Sequence, residues 1–286
     1  MAPPRAEPRT RSSPVPLYIL GERRGVEIRD VDLHYGELDS TRAIDRAITR
    51  RTRLILLSDI AYSTGALLDV RAIARASHAH GVPVLVDGAQ SGGAIPRPMH
   101  ELEIDFYALS GHKWVGGPEG TGGLYVRRKW QDRLGLSYGG LYTDLDHGWG
   151  GALHPFPGAR RHEVSTRHYP ALAGQAAAIQ WLCDEVGVEW AARRSHGLVE
   201  HAASVFRTIP GVEVVTPPNH AGLFAFGTPS APRDLHVWLD RHQVWCRSVT
   251  APPSVRLSFG FYTTADEIDR VAALVREHGR VATGVA

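Results

Sequence analysis

Two unbroken apolar runs, Leu54-Ile-Leu-Leu57 and Val82-Pro-Val-Leu-Val-Asp87, most constrain what this chain can fold into. Neither alternates apolar with polar residues, so each reads as a strand covered on both faces rather than on one. Between them Asp69 stands as a helix cap, apolar residues recur at helical spacing to about His80, and Gly81 stops the helix. Strand, helix and strand in that order build a parallel pair with the helix crossing one face. Ile104 to Ser110 and Gly122 to Val126 read as two further strands, Leu38 to Arg51 as a helix, and Gly25 to Leu33 as an earlier strand flanked by glycine. The expected fold is α/β with a mainly parallel sheet.

Further along, a stretch rich in Gly, Pro and His from about Gly135 to Tyr169 reads as irregular. Helices are expected over about Pro170 to Glu185, Val188 to Thr208, Arg233 to His242 and Ala265 to His278. Short strands are expected at Val212 to Val215, Gly222 to Phe226 and Ser254 to Ser258. Such short mixed units suggest a smaller α+β domain. The expected organisation is a disordered Pro/Arg-rich tail over 1–15, a large domain over 16–169, and a small domain with its connecting helix over 170–286. No internal repeat is visible.

Composition narrows the function. Hydrophobic residues at 43% and charged residues at 22% are those of an ordinary globular protein, and the formal net charge is only +2. Arginine pairs are scattered, which argues against nucleic acid as a partner. Two cysteines, Cys183 and Cys246, with no CxxC spacing, argue against a disulfide framework or a structural zinc site. His78 and His80 lie two apart on a helix and face different sides, and no HExxH occurs, so no histidine metal site is expected. No apolar run is long enough to span a membrane, and the first residues hold no apolar signal core. A cytoplasmic protein is the default expectation.

In open α/β sheets, ligands bind beyond the carboxyl ends of the strands. Ser58 and Asp59 follow the first buried strand, Asp87 ends the second with Gln90 close behind, and Ser110, His112 and Lys113 follow the third. Lys113 is one of two lysines in a chain with thirty arginines. Lysine is irreplaceable where an amine must lose its proton and attack a carbonyl, because arginine keeps its charge. The other, Lys129 in Arg127-Arg-Lys-Trp130, reads as a solvated surface charge. A lysine to capture an aldehyde, a carboxylate to keep a pyridine nitrogen protonated and a hydroxyl for a phosphate are what pyridoxal 5'-phosphate (PLP) chemistry needs. Lys113, Asp87 and Ser110 suit those three tasks.

Val84-Leu-Val-Asp-Gly-Ala-Gln-Ser-Gly-Gly-Ala-Ile-Pro96, followed by Asp105-Phe-Tyr-Ala-Leu-Ser-Gly-His-Lys-Trp114, closely resembles the class V aminotransferases. That family includes cysteine desulfurases, C–S lyases and isopenicillin-N-epimerase-like proteins. The resemblance runs from about Pro16 to the C-terminus. It includes Leu57-Ser-Asp-Ile-Ala-Tyr-Ser-Thr-Gly65 and the stretch from Val255-Arg-Leu-Ser258 to Glu267-Ile-Asp269. It implies fold-type-I architecture, a homodimer, PLP as cofactor and a small amino-acid-like substrate. By position it makes Lys113 the Schiff-base lysine and Asp87 the partner of the pyridinium nitrogen. It sets Gln90 near the phenolic oxygen, and Ser110 and His112 near the phosphate. Arg256 would hold the substrate carboxylate, its alternative being a plain surface arginine. Thr166 would reach the neighbouring subunit's phosphate, or else cap a helix. Tyr62 would bond the cofactor oxygen, or else be a packed aromatic.

Two departures set expectations apart from the family pattern. The loop on which desulfurases carry their catalytic cysteine would lie between Arg247 and Arg256, and here it is short and free of cysteine. Persulfide-forming desulfurase chemistry is therefore disfavoured against transamination, elimination or epimerisation. The family's N-terminal portion, with two strands and the phosphate-binding loop, has no visible counterpart. The alternative to an enzyme is thus a shortened, non-catalytic or partner-dependent remnant. Val26–Leu33 is expected either to pair directly with Leu54–Leu57 or to leave an edge that another chain covers.

Overall fold

The computed structural model describes residues 15–33, 39–146 and 150–283. Val15–Arg24 forms helix α1, which buries no side chain. Val15 thus belongs to a helix, and the rest of the expected tail lies outside the described residues. Gly25 to Leu33 is not a strand. It runs without regular structure, and of its apolar side chains only Leu33 is buried. Glu27, Arg29, Asp30 and Asp32 interrupt it with charge, and strand residues of that kind need a ladder partner, which this segment does not have among the described residues. Ser40–Ala47 forms α2, capped by Asp39, which accepts the Arg42 N–H at 3.1 Å. The helix is shorter than the periodicity predicts. Ile48 is already extended, the hydroxyls of Thr49 and Thr52 close the turn that follows, and Leu38 lies outside the described residues.

The first sheet consists of β1 (Ile55–Ser58), β2 (Val84–Asp87), β3 (Phe106–Ser110) and β4 (Gly122–Val126), in that spatial order. β1, β2 and β3 are parallel and β4 is antiparallel to β3. Helix α3 (Val70–Ala79) crosses between β1 and β2, capped by Asp69 on the Ala72 N–H at 2.9 Å and ended by Gly81 at φ +71°. Its Val70, Ile73 and Ala74 pack with Leu57, Val84, Val86, Ile104 and Tyr107 in one core. Each fully buried aliphatic side chain contributes about 1.5–3 kcal/mol. The outer edge of β1 has no partner strand among the described residues.

Asp105, fully buried ahead of β3, ties this layer together. Its carboxylate meets His78 Nε2 at 2.5 Å, the Val84 N–H at 3.0 Å, Trp130 Nε1 at 2.7 Å and Lys129 Nζ at 3.0 Å. Burial alone would raise its pKa, but the hydrogen bonds from His78, Lys129 and Trp130 outweigh it and hold the carboxyl below its usual range. Lys129, on the short helix α4 (Arg128–Gln131), is therefore an ion-pair partner of a buried carboxylate and not the free surface charge its sequence context suggests.

After a short 3₁₀ turn, helix α5 (Tyr169–Trp181) runs into a π-turn at Leu182–Val186 and then α6 (Val188–Phe206). The second sheet has the order β5-β6-β8-β7 and is antiparallel throughout. Its strands are β5 (Glu213–Val214), β6 (Leu223–Gly227), β7 (Arg247–Thr250) and β8 (Pro253–Ser258), with α7 (Pro232–Arg241) and α8 (Ala265–Thr283) around them. Phe206, Phe224, Phe226, Leu235, Leu239 and Ile268 form its core. The stretch read as a loop between Arg247 and Arg256 is a tight hairpin. Thr250 pairs with Pro253, so only Ala251 and Pro252 turn the chain.

The two halves meet where Ala66 bridges His220. Leu67 and Asn219 exchange two hydrogen bonds there, at 2.9 and 2.7 Å. Gly65 is needed at this crossing. Its φ is +79°, and a Cβ would sit 2.4 Å from the Leu223 carbonyl oxygen. Among the described residues no helix is long and apolar enough to cross a membrane.

Candidate active site

The strand register places the polar ends together. Ser58, Asp87 and Ala108 stand in line across β1, β2 and β3, so Asp87 projects at the carboxyl end of the central strand. Its Oδ1 accepts the Ala89 N–H at 3.0 Å, which fixes the side chain over the turn that follows. That turn leads to Gln90, buried at 8% exposure, whose Oε1 accepts Trp114 Nε1–H at 3.0 Å. With its carbonyl engaged, Gln90 is oriented to present its amide NH₂. The turn lies directly on the segment after Lys113. Gly93 has φ +85°, and a Cβ there would come within 2.7 Å of the Val115 nitrogen.

Trp114 is a residue whose role the strand-end pattern does not reveal. It fixes Gln90 through its ring nitrogen and packs with Ile60, Ala221 and Leu223 at the junction of the two halves. Its place beside Lys113 is the only sequence signal for it. Ser91 and Tyr107 are a second such pair, with hydroxyls 2.7 Å apart. Burial pushes the Tyr107 phenol up to about 12, so this pair stays neutral and braces the turn rather than moving protons.

Lys113 follows β3 after Ser110, Gly111 and His112. Ser110 is half-buried opposite Gly122, while His112 and Lys113 are exposed on the turn. The surrounding protein nevertheless pushes the Lys113 pKa down. Desolvation is the largest cause; the Arg256 guanidinium acts the same way and the Asp87 carboxylate acts against it. A lysine with a lowered pKa offers more neutral amine, the form that attacks a carbonyl.

Arg256 comes from β8 of the second sheet. It is not the plain surface arginine of the alternative reading, because it is only 8% exposed. Its guanidinium lies 4.5 Å from the centre of the Tyr62 ring, and Nη1 donates to the Tyr62 carbonyl at 3.3 Å. Its buried Nε has no hydrogen-bond partner. A buried guanidinium with an unmet donor favours an anionic oxygen as its missing partner. Tyr62 serves this arginine as a packing face and a carbonyl acceptor.

Thr166 is placed differently. It is exposed in the loop before α5, and no described hydrogen bond or ion pair joins it to the strand-end group. Nor does it cap α5: His168 does, its Nδ1 accepting the Ala171 N–H at 3.0 Å. Five of the other predicted residues come from three neighbouring segments. Asp87, Gln90 and Lys113 come from the first sheet's carboxyl ends, Tyr62 from the crossing segment and Arg256 from the second sheet. An amine of lowered pKa, a strand-end carboxylate and an unsatisfied guanidinium are the groups that suit a cofactor aldehyde, a ring nitrogen and a carboxylate.

The family description "Aminotransferase class-V" matches residues 10–271. The chain belongs to this family. Similar class V proteins include a cysteine desulfurase of Pectobacterium atrosepticum, 30% identical over 282 residues, covering 92% of this chain and 68% of that protein. The isopenicillin N epimerase of Streptomyces clavuligerus is 28% identical over 278 residues, covering 88% of this chain and 68% of that protein. Among solved structures, the cystine C–S lyase C-DES in complex with cysteine persulfide has a TM-score of 0.86 at 27% identity, covering 91% of this chain and 71% of that one. A variant of the same lyase carries glycine covalently linked to its PLP cofactor. The fold is that of these class V, fold-type-I proteins. The chain spans as little as 59% of the length of the curated relatives it matches.

The class V relatives include desulfurases, so the two cysteines bear on chemistry. Burial pushes the Cys246 thiol up to about 11, with Asp240 adding to the shift, and its sulfur lies 3.3 Å from His236 Nδ1. Cys183 is exposed on the π-turn after α5.

Proposed function

We propose that this chain holds PLP through Lys113 and acts at the Cα of an amino-acid substrate whose carboxylate is bound by Arg256. The observation that carries this is the buried Arg256 with its unmet Nε, together with its charge and that of the strand-end Asp87 acting on a lysine of lowered pKa. Asp87 would hold the ring nitrogen, Gln90 the phenolic oxygen through its free NH₂, and Ser110 and His112 the phosphate. Bound PLP supplies an electron sink for the bonds at Cα. Arg256 contributes orientation: a planar, partly desolvated guanidinium fixes a carboxylate in two-point geometry.

Among the reactions open to such a site, elimination, amino transfer or epimerisation is favoured over desulfurase chemistry, in which the persulfide forms on a cysteine of the enzyme. The β7–β8 turn has only two residues and no cysteine to deliver a thiolate. Cys246 is held as the thiol, and the nucleophile in sulfur transfer is the thiolate.

The expected test is substitution at Arg256. Arg256→Lys keeps one charge but loses the fork, so substrate binding weakens by about 10-fold or more, and Arg256→Ala loses about 2–5 kcal/mol of kcat/KM. PLP binding, followed by visible absorbance, stays within about threefold in both. Equal loss of cofactor and substrate binding would show that Arg256 is only structural.

Helix α5 is apolar yet buries none of its residues, and Tyr169, Leu172, Ile179 and Trp181 are exposed along it. Gln175 of α5 reaches the Gly122 carbonyl at 3.3 Å, and neighbouring Leu124 on β4 is 62% exposed. An apolar face of that kind marks an interface. We propose that a second copy covers it and closes the cofactor site. Light scattering should give twice the chain mass, and dilution to monomer should release PLP. A monomer that retains PLP at submicromolar concentration would contradict this.

A further inference from the structure

Behind the junction lies a cluster that no step above uses. His196 and Glu200 stand four residues apart on α6 and so share one face. His220, from the segment entering β6, comes up against them. Its ring stacks on His196 with centroids 4.3 Å apart and planes at 16°, and its Nε2 is 2.6 Å from Glu200 Oε1. Ligand atoms of all three lie within 4.8 Å of one another. His196 and the buried His220 line a hollow bordered by Ile95, Arg193 and Ala221, and Glu200 is exposed beside them.

The surroundings of His220 favour a metal. Its Nδ1 lies 3.0 Å from the Ala221 carbonyl oxygen. A ring that donates Nδ1–H to a backbone carbonyl has its tautomer and orientation fixed for ligation through Nε2, the usual support of a metal-bound histidine. Here both ring nitrogens face oxygen acceptors, so two ring hydrogens would be needed to satisfy both. A cation at Nε2 removes that demand. It takes the ring lone pair on one side and the carboxylate on the other, while the Nδ1–H bond stays.

We propose that His196, Glu200 and His220 form a binding site for a first-row divalent cation, zinc above all, with water as the fourth ligand. Two imidazoles and one carboxylate are a donor set that zinc takes in tetrahedral geometry, at about 2.0–2.2 Å per ligand. Those distances require the ligand atoms to stand about 3.3 Å apart. Glu200 must therefore draw back from His220, and the His196 ring must turn out of the stack so that both ring lone pairs reach one ion; Glu200, 57% exposed, and the exposed His196 are free to do so. The positive charge of Arg193 at the rim favours water or an anion in the fourth position. Because Ala66 bridges His220, the ion would clamp α6 to the crossing segment that carries Tyr62. Its role is structural, at the joint between the two halves. The sequence pattern does not disclose it, because His196-x-x-x-Glu200 alone reads as a solvated helix face and the third ligand lies twenty residues on.

The test uses the full chain, with and without PLP, stripped by chelator and dialysed. Zinc chloride is added in a calorimeter, and thermal unfolding is followed at zinc excess. The expected result is one zinc per chain and a rise in Tm. His196→Ala should weaken binding by about tenfold or more and abolish the rise. His196 is exposed, so its loss does not threaten the fold, and Glu200→Gln gives a second test. His154→Ala, a histidine paired with Asp146 elsewhere, should leave binding unchanged. No saturable zinc binding, or binding that survives both His196→Ala and Glu200→Gln, would overturn the assignment.

Discussion

Lys113→Arg is expected to abolish covalent retention of PLP and to lower turnover on the order of a thousandfold or more. The variant keeps the positive charge and much of the length at this turn, so the fold and the Asp87 attraction remain. What it loses is a nitrogen that can give up its proton and attack an aldehyde. In the unmodified chain, desolvation by the surrounding protein and the Arg256 guanidinium lower the Lys113 pKa while the Asp87 carboxylate raises it, with a net lowering. Capture of PLP should therefore extend to lower pH than for a free lysine, because the neutral amine persists there. Capture rates measured against pH on the chain and on a lysine peptide check this. Coincident profiles would show that the cleft does not tune the amine.

Asp87→Asn should have the second largest effect. The asparagine keeps an oxygen to accept the Ala89 N–H, now made by Oδ1 at 3.0 Å, so the turn to Gln90 survives. The negative charge at the end of β2 is gone, and with it the support for a protonated pyridine nitrogen. Loss of one preorganised charge of this kind costs about 10²–10³ in kcat. The sign at Lys113 gives a separate readout. Asp87 raises the Lys113 pKa, so its removal should lower that pKa further and shift PLP capture to still lower pH. Falling turnover with capture extended to lower pH identifies Asp87 as the ring partner. Unchanged turnover would make it a structural acceptor only.

Much of this was legible in the chain because burial writes itself plainly. Strands covered on both faces must be apolar throughout, so β1 and β2 stand out, and Asp69 and Gly81 bracket α3 by cap chemistry. The strand-end residues follow from topology once those strands are placed. What the sequence concealed depends on partners distant in the chain. Gly25 to Leu33 has alternating valine and isoleucine, but alternation needs a neighbouring ladder, and that segment has none among the described residues. Lys129 looks solvated until Asp105, buried twenty-four positions earlier, is placed beneath it. Ser248 to Val255 reads as a loop because its prolines punctuate it, yet they sit at and just after the turn of a hairpin. Trp114 shows its role only when the turn carrying Gln90 folds onto it.

The central claim is that Lys113, and not Lys129, is the amine that holds the cofactor. With only two lysines in the chain, the test is clean. PLP is added to the purified protein, the bond is reduced with borohydride, and the modified lysine is located by peptide mass mapping. The account predicts a single phosphopyridoxyl group on Lys113, with Lys129 unmodified because its amine is engaged by Asp105. Modification of Lys129 alone, or none at either lysine, would contradict it.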